Sequence, residues 1–359
     1  YEYSYGRQNW YAYCAEECAA VRTNVAMFDQ SSFGKFVLEG ADAESVLNQI
    51  CANDVSVPVG KLVYTQWLNE RGGIEADVTI TREALDRYLI VTAAATQVRD
   101  FAWLKDHIPA GARAVAVDVT SGQATLSMMG PNSRALLQGL THADLSNEAF
   151  PFGTSQIIDL GYARVRASRV TYVGELGWEL YIPTEFSAGV FDTLVDAGRE
   201  FGMRHAGYHA LNSLRTEKGY RHWGHDISPD ENPIEAGLGF VVALDKPGGF
   251  IGRDAVARAK AEGVHQRLVQ FAMRDSSRLL YHNEPIWRDG RIVGRITSGM
   301  YGHFLDRSLG MGYVENADGV ADAAWVNAGS YEIEVSGERF AADAQLSPWY
   351  DPKSERVKV

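Results

Sequence analysis

A chain of 359 residues, 46% of them hydrophobic, is long enough to bury a sizeable core and to divide into more than one domain. Its net charge of −12 excludes a protein built to coat nucleic acid or anionic lipid, since both require a positive surface. A small anionic ligand in a locally basic pocket remains compatible with that charge. Three cysteines, Cys14, Cys18 and Cys51, make no C-x-x-C pair, so the expectation is reduced thiols in a reducing compartment and no zinc knuckle or disulfide framework. No apolar run of about 18 residues and no signal-peptide pattern opens or interrupts the chain, so no membrane partner is expected.

In chain order, the aromatic-rich "YEYSYGRQNWYAYCAEECAAVR" starts at Tyr1 and enters a helix at once, read as residues 13–28. A beginning of this kind suggests a cut through a longer polypeptide, or a processed chain. Asp42 opens a second helix, "DAESVLNQI". From Lys61 to Ala95 the pattern is a β-meander, with a turn at Arg71-Gly72-Gly73. Pro131 suits the first turn of a helix running to Leu140. The run from Ala163 to Pro183 reads as a hairpin whose loop is Gly174-Glu175-Leu176-Gly177. Helical patterns follow at 185–201, 207–218 and 252–262, and from His265 the text is strand-like. Asp289-Gly290 and Ser336-Gly337 mark two hairpins there. A boundary near 263 separates a mixed α+β region, residues 1–262, from a small β domain, residues 263–359.

The common enzyme fingerprints are absent: no dinucleotide-binding glycine motif, Walker loop, H-E-x-x-H or G-x-S-x-G occurs. Chemistry must come from dispersed residues on strands. In "NERGGIEADVTITR", Ile74, Ala76, Val78 and Ile80 share one strand face and Glu75, Asp77, Thr79 and Thr81 the other. That polar face looks either at water or at a ligand. A four-residue loop at 174–177 would set Tyr172 directly opposite Glu179, with Cβ atoms about 5 Å apart. A carboxylate beside a phenol then offers an anchor for adjacent N–H donors, or is an ordinary cross-strand pair. In "HALNSLRTEKGYRHWGHD", His222, His225 and Asp226, or His205 and His209, could ligate a metal, but the spacing is loose and no metal is assigned.

These stretches in this order resemble the aminomethyltransferase (glycine cleavage T-protein) family. The likeness extends to the tetrahydrofolate-binding half of dimethylglycine and sarcosine dehydrogenases and oxidases. It rests on "FDQSSFGKFVLEGADAESVLNQICANDV", "GKLVYTQWLNERGGIEADVTIT", "YVGELGWELYIP", "SLRTEKGYRHWGHDISPDENPIEAGLGFVV" and "GRITSGMYGHFLDRSLGMGYV". The C-terminal "WYDPKSERVK" fits the dehydrogenase branch better. The resemblance implies a three-subdomain cloverleaf around a folate channel, closed by a small β-barrel. It implies that Asp77 is catalytic, beside the reactive nitrogens of tetrahydrofolate, and that Tyr172 and Glu179 bind the folate, Glu179 at the pterin. Arg215 is the remaining cation for the folate tail, because Leu211 stands where T-proteins carry an arginine; alternatively Arg215 holds Glu217 or Asp226.

The implied function is one-carbon transfer from an oxidised N-methyl amine, of sarcosine or dimethylglycine type, giving 5,10-methylenetetrahydrofolate. FAD is expected only on a missing N-terminal half or a partner flavoprotein subunit. The implied compartment is the cytoplasm, or the mitochondrial matrix in a eukaryote. Two rivals stand beside it: a stand-alone demethylase giving 5-methyltetrahydrofolate, and a non-catalytic regulatory or scaffold homologue.

Overall fold

The computed structural model describes residues 1–359. Its first elements are α1 (Tyr11–Thr23), β1 (Ala26–Asp29), β2 (Gly34–Glu39), α2 (Ala43–Ile50), β3 (Leu62–Leu68), β4 (Ile74–Ala84), β5 (Arg87–Thr92), α3 (Gln97–Asp106), β6 (Val115–Asp118) and β7 (Gln123–Met129). There follow α4 (Ser133–Gln138), β8 (Ser155–Leu160), β9 (Ala163–Ser168), β10 (Gly177–Pro183), α5 (Ser187–Gly198), β11 (Arg204–His205), α6 (Tyr208–Glu217) and α7 (Arg253–Glu262). The last elements are β12 (Gln266–Met273), β13 (Pro285–Arg288), β14 (Arg291–Gly302), β15 (Arg307–Glu315), α8 (Ala323–Ala328), β16 (Tyr331–Val335) and β17 (Glu338–Gln345). No helix is long and apolar enough to cross a membrane.

The strands form three sheets. One has the order β3-β4-β5-β2-β6. Its apolar face, with Phe36, Leu38, Ala76, Val78 and Ile80, packs on Val46, Leu47 and Ile50 of α2 and Leu104 of α3. A second has the order β11-β1-β7-β10-β9-β8. There Leu126, Met128, Trp178, Leu180 and Ile182 pack on Leu136 and Leu137 of α4 and Val190 and Leu194 of α5. Each buried aliphatic side chain contributes about 1.5–3 kcal/mol, so the helix-covered faces hold these sheets. Their remaining faces turn toward each other: Tyr181 of β10 packs with Val37, Leu89 and Val91 of the first sheet. The two are tied by Arg166 to Glu83 at 2.7 Å and by the Ser155 N–H donating to the Gly60 carbonyl at 2.7 Å.

The third sheet is a closed barrel, β12-β15-β14-β13-β16-β17, filled by Val269, Phe271, Ile286, Ile296, Val314 and Ile333. Its hairpin turns sit where the sequence reading puts them: both residues of Asp289-Gly290 and of Ser336-Gly337 have positive φ, as a two-residue hairpin turn requires. The segment between α6 and α7 wraps the junction, with Ile227, Ala236, Leu238 and Val241 packed on Leu68, Ile74 and Val256. Three sheets with helices on their outer faces are the mixed α+β cloverleaf, closed by a barrel, that the resemblance implies.

Three local readings are corrected. The helix expected over 13–28 ends at Thr23, and Ala26–Asp29 pairs with β7 because sheet burial outweighs helical periodicity there. Pro131 does not occupy the first turn; it precedes the Asn132 cap of a helix that ends at Gln138. The hairpin loop is also longer than four residues. Glu179 pairs with Ser168, and the connection runs from Arg169 to Leu176. Tyr172 therefore leaves the sheet and does not oppose Glu179. Ion pairing shapes this loop: Arg22 donates to the Val173 carbonyl at 2.6 Å and contacts Glu175 at 3.3 Å, while the Tyr350 hydroxyl donates to Glu175.

Candidate functional site

The polar face of β4 looks inward, not into bulk water. Gln66 lies directly opposite Asp77 and Tyr64 opposite Thr79. A bulge next to Trp67 and Leu68 sets this register; without the extra residue Gln66 would oppose Ala76. The Gln66 Nε2 donates to Asp77 Oδ1 at 2.8 Å. Asp77 is half-buried, and loss of water raises its carboxyl to about 6, against the hydrogen bond from Gln66, the nearby Tyr64 hydroxyl and the charge of Arg221. The Tyr64 hydroxyl is pushed up by burial and by the adjacent Asp77 charge. Gln66 is fully buried, yet its Oε1 accepts no hydrogen bond. An orphaned buried acceptor of this kind costs about 1–3 kcal/mol.

The facing sheet presents a second acceptor. Glu179 on β10 is flanked by Ser127 and Ser168 on the neighbouring strands. It is 7% exposed and accepts from the Tyr181 hydroxyl at 2.6 Å. No arginine or lysine pairs with it, and burial raises its pKa above the ordinary glutamate value. A buried carboxylate without a cation is suited to a ligand that brings N–H donors.

Tyr172 belongs to the same interior by another route. Its hydroxyl donates to the Arg221 carbonyl at 2.7 Å, and its ring stacks on Tyr220 at 6.0 Å. Burial raises the Tyr172 phenol, and Asp77 adds to that rise, which places the two side chains within electrostatic reach. Arg215 is different. Its guanidinium donates to Asp226 at 2.6 Å, Ser298 at 2.8 Å, Asn212 at 2.8 Å and the Tyr220 carbonyl at 3.2 Å. Of the two roles open to Arg215 from sequence, the structure supplies the internal one, with Asp226 as its partner, while Glu217 pairs with Arg22 at 2.7 Å. Burial works against the Asp226 anion, but Arg215 and the Thr297 hydroxyl hold its pKa below the usual value. Leu211 lies buried among Cys14, Cys18 and Val21, in an apolar cluster between α1 and α6.

The histidines do not converge. His209 stacks on Trp10 and His205 on Phe191. His222 and His225 stand 4.7 Å apart between ring centroids, and burial lowers His222 to about 4. No group of three ligating side chains forms anywhere. An open depression of about 680 Å³ lies at Glu70 and along Lys246–Asp254, and none of the side chains around Asp77 lines it. Sequence reasoning missed Tyr64, Gln66 and Tyr181. The i±2 rule places Tyr181 on the face of Glu179, but the bulge hides the Gln66–Asp77 pairing from any simple strand count.

Comparison with known proteins agrees with this architecture. The GCVT N-terminal domain model matches residues 1–246, and the glycine cleavage T-protein C-terminal barrel domain model matches residues 266–351. The chain is 42% identical over 358 residues to 4-methylaminobutanoate oxidase (formaldehyde-forming) of Paenarthrobacter nicotinovorans, covering 100% of this chain and 42% of that protein. It is 38% identical to mitochondrial sarcosine dehydrogenase of Homo sapiens, covering 96% of this chain and 39% of that protein. The chain thus spans less than half the length of these relatives. The crystal structure of glycine cleavage system aminomethyltransferase T from Bartonella henselae superposes with a TM-score of 0.83 at 25% identity, covering 94% of this chain and 90% of that one. On sequence, domain order and fold together, the chain belongs to the glycine cleavage T-protein (aminomethyltransferase) family.

Proposed function

We propose that this chain is a tetrahydrofolate-dependent one-carbon transferase module that accepts the C1 unit of an oxidised N-methyl amine, of sarcosine or dimethylglycine type, and yields 5,10-methylenetetrahydrofolate. The observation that carries this reading is a pair of acceptors on facing sheets: Asp77, near neutral pKa, and Glu179, buried without a cation. The interior fits a folate on one count visible here, the uncompensated Glu179 carboxylate. Tetrahydrofolate, when bound, supplies the two nitrogens between which the one-carbon unit is carried.

Each residue has a distinct task in this reading. Glu179, oriented by Tyr181, accepts the adjacent N–H and amino donors of the pterin edge, and charge-assisted bonds of this kind are strong and directional. Tyr172 supplies a flat aromatic wall backed by Tyr220. Asp77, with its carboxyl pushed up to about 6 and held by Gln66, can take a proton from an amine nitrogen and stabilise a cationic iminium donor. Arg215 positions the 220–226 segment through Asp226 and the Tyr220 carbonyl. The flavin chemistry that oxidises the amine belongs to a flavoprotein domain or subunit outside this chain, and the relatives named above, longer than this chain, are consistent with that division.

A non-catalytic role is favoured by one observation: a relative 35% identical over 355 residues is the pyruvate dehydrogenase phosphatase regulatory subunit of Mus musculus. Calorimetric titration with tetrahydrofolate separates the readings. Micromolar or tighter binding, about −8 kcal/mol, that disappears in Glu179→Ala supports the transferase. Absence of binding by the intact chain turns the assignment to the regulatory class, and product analysis with a competent flavoprotein and amine distinguishes 5,10-methylene- from 5-methyltetrahydrofolate.

A further inference from the structure

The folate reading gives no task to one motif of the sequence, the C-terminal "WYDPKSERVK". After β17 ends at Gln345 the chain leaves the barrel, passes the end of α6 and reaches the second sheet. Its contacts follow that path. At α6 the Tyr350 N–H donates to the Glu217 carbonyl at 3.0 Å, and Asp351 pairs with Lys218 at 2.9 Å. In the loop before β10 the Tyr350 hydroxyl donates to Glu175, whose other carboxylate oxygen lies 4.0 Å from Arg356. At the sheet the Val359 carbonyl accepts from Arg134 and Arg169, each at 2.7 Å. Tyr350 and Val357 are buried, so the segment is packed as well as hydrogen-bonded.

The loop is gripped by the same groups from its other side. Arg22 donates to the Val173 carbonyl at 2.6 Å and lies 3.8 Å over the Tyr350 ring. Gly174, at φ +80°, rests on the methylenes of Lys218: a Cβ there would meet them at 2.9 Å. Val173, Gly174 and Glu175 are thus fixed by Tyr350, by Arg22 beneath it and by the lysine that Asp351 holds. Tyr172 is the next residue back. It is half-buried, and its own anchors are a stack on Tyr220 at 6.0 Å and a hydrogen bond to the Arg221 carbonyl.

We propose that the C-terminal segment is a strap in which Tyr350 and Asp351 are positioning residues for Tyr172: they fix the 173–175 loop and so present the Tyr172 ring as a preformed wall of the ligand site. This rests on the folate reading above. A wall ordered before the ligand arrives loses less conformational entropy on binding, so the strap acts on affinity through the loop.

The test is calorimetry of tetrahydrofolate with the full chain, run as a double-mutant cycle. Tyr350→Phe keeps the ring under Arg22 and removes the hydroxyl that holds Glu175. It should weaken tetrahydrofolate binding per folded molecule by about fivefold, and by almost nothing in a chain that already carries Tyr172→Leu. Asp351→Asn should follow the same pattern at about twofold, and carries the test if Tyr350→Phe does not fold. Amide hydrogen exchange over residues 171–176 gives a second readout, independent of how tightly Tyr172→Leu binds. In the native chain tetrahydrofolate should slow that exchange little; in Tyr350→Phe it should start fast and be slowed markedly by the ligand. Unchanged affinity and unchanged loop exchange in Tyr350→Phe, whatever its stability, overturn the proposal. An equal loss of affinity with and without Tyr172 also overturns it, since the strap would then act on the site by another route. Failure of the native chain to bind tetrahydrofolate removes the folate reading itself.

Discussion

Two regions of this molecule bury carboxylates, and they treat them in opposite ways. At the junction of α1, α6 and the C-terminal segment, Glu217 and Glu175 meet Arg22, Asp226 meets Arg215, and Asp351 meets Lys218. Between the two facing sheets, Asp77 and Glu179 have only neutral side chains as hydrogen-bond partners. Removing an ion from water costs several kcal/mol unless a partner and hydrogen bonds compensate. The junction supplies that compensation internally and so acts as a clamp on the three sheets. The inter-sheet wall leaves it undone, and an uncompensated carboxylate is a standing demand for donors. Charge compensation, more than the presence of acidic residues, separates framework from site.

The comparison breaks most visibly at Arg22. Arg22→Ala strands two buried carboxylates and a cation–π contact with Tyr350, and should cost about 5 kcal/mol, the upper end for breaking a buried pair. Denaturant unfolding would read this directly, and a loss below about 1 kcal/mol would show that the clamp is not holding the junction. Arg215→Ala should cost about 3 kcal/mol by orphaning Asp226, with tetrahydrofolate affinity per folded molecule nearly kept. Intact stability with lost affinity would instead move Arg215 into the ligand site.

On the other side of the comparison, Asp77→Asn should lower turnover by about 100-fold, a typical share for a positioned acid–base group, with a much smaller change in folate affinity. The pH dependence sharpens this. Burial pushes the folded carboxyl up to about 6, above the ordinary aspartate range, so the folded state holds the proton more tightly than the unfolded one. Asp77 is therefore least unfavourable to stability at low pH, and its unfavourable contribution grows as pH rises from about 4 to about 6. The asparagine variant should lose that slope and be relatively more stable than the native chain above pH 6, while native turnover rises through the same range as the base ionises. Turnover flat across that window would separate Asp77 from proton transfer.

Much of this division was legible before any coordinates. The alternation from Ile74 to Thr81 placed Asp77 on the polar face, the family motif singled out Glu179, and Asp-Gly and Ser-Gly dipeptides located barrel hairpins. What stayed hidden depended on contacts distant in sequence. The loop from Arg169 to Leu176 is drawn out of the sheet by Arg22 and Tyr350, so local pattern overstated the hairpin and mispaired Tyr172. The sequence leaves Arg215 open between a ligand cation and a partner of Glu217 or Asp226, because the choice depends on the fold around Asp226 and on Ser298, which comes from the barrel. The Gln66–Asp77 pairing depends on a single bulge, which shifts register by one residue and leaves no signature in composition.

Glu179→Gln tests the site side of the contrast at a smaller scale. It should lower tetrahydrofolate affinity by about tenfold, since a neutral amide accepts less strongly and carries hydrogens of its own. Stability at neutral pH should hold or rise, because burial makes the native carboxylate anion unfavourable. A large destabilisation would place Glu179 with the clamp and not with the site.

The finest test is Tyr181→Phe, which keeps the ring against Val37, Leu89 and Val91 and removes only the hydroxyl that donates to Glu179. Burial pushes the Glu179 carboxyl up and that hydroxyl pulls it down. Without it the pKa rises further, so less of the carboxylate is ionised when tetrahydrofolate arrives. Affinity should fall a few-fold, about 1 kcal/mol or less, and the deficit should shrink as pH is raised and ionisation is restored. A deficit that does not change with pH would mean the hydroxyl serves packing or water exclusion. No deficit at any pH would mean that Glu179 does not hold its ligand as an anion, and the inter-sheet wall would lose the feature that sets it apart from the clamp.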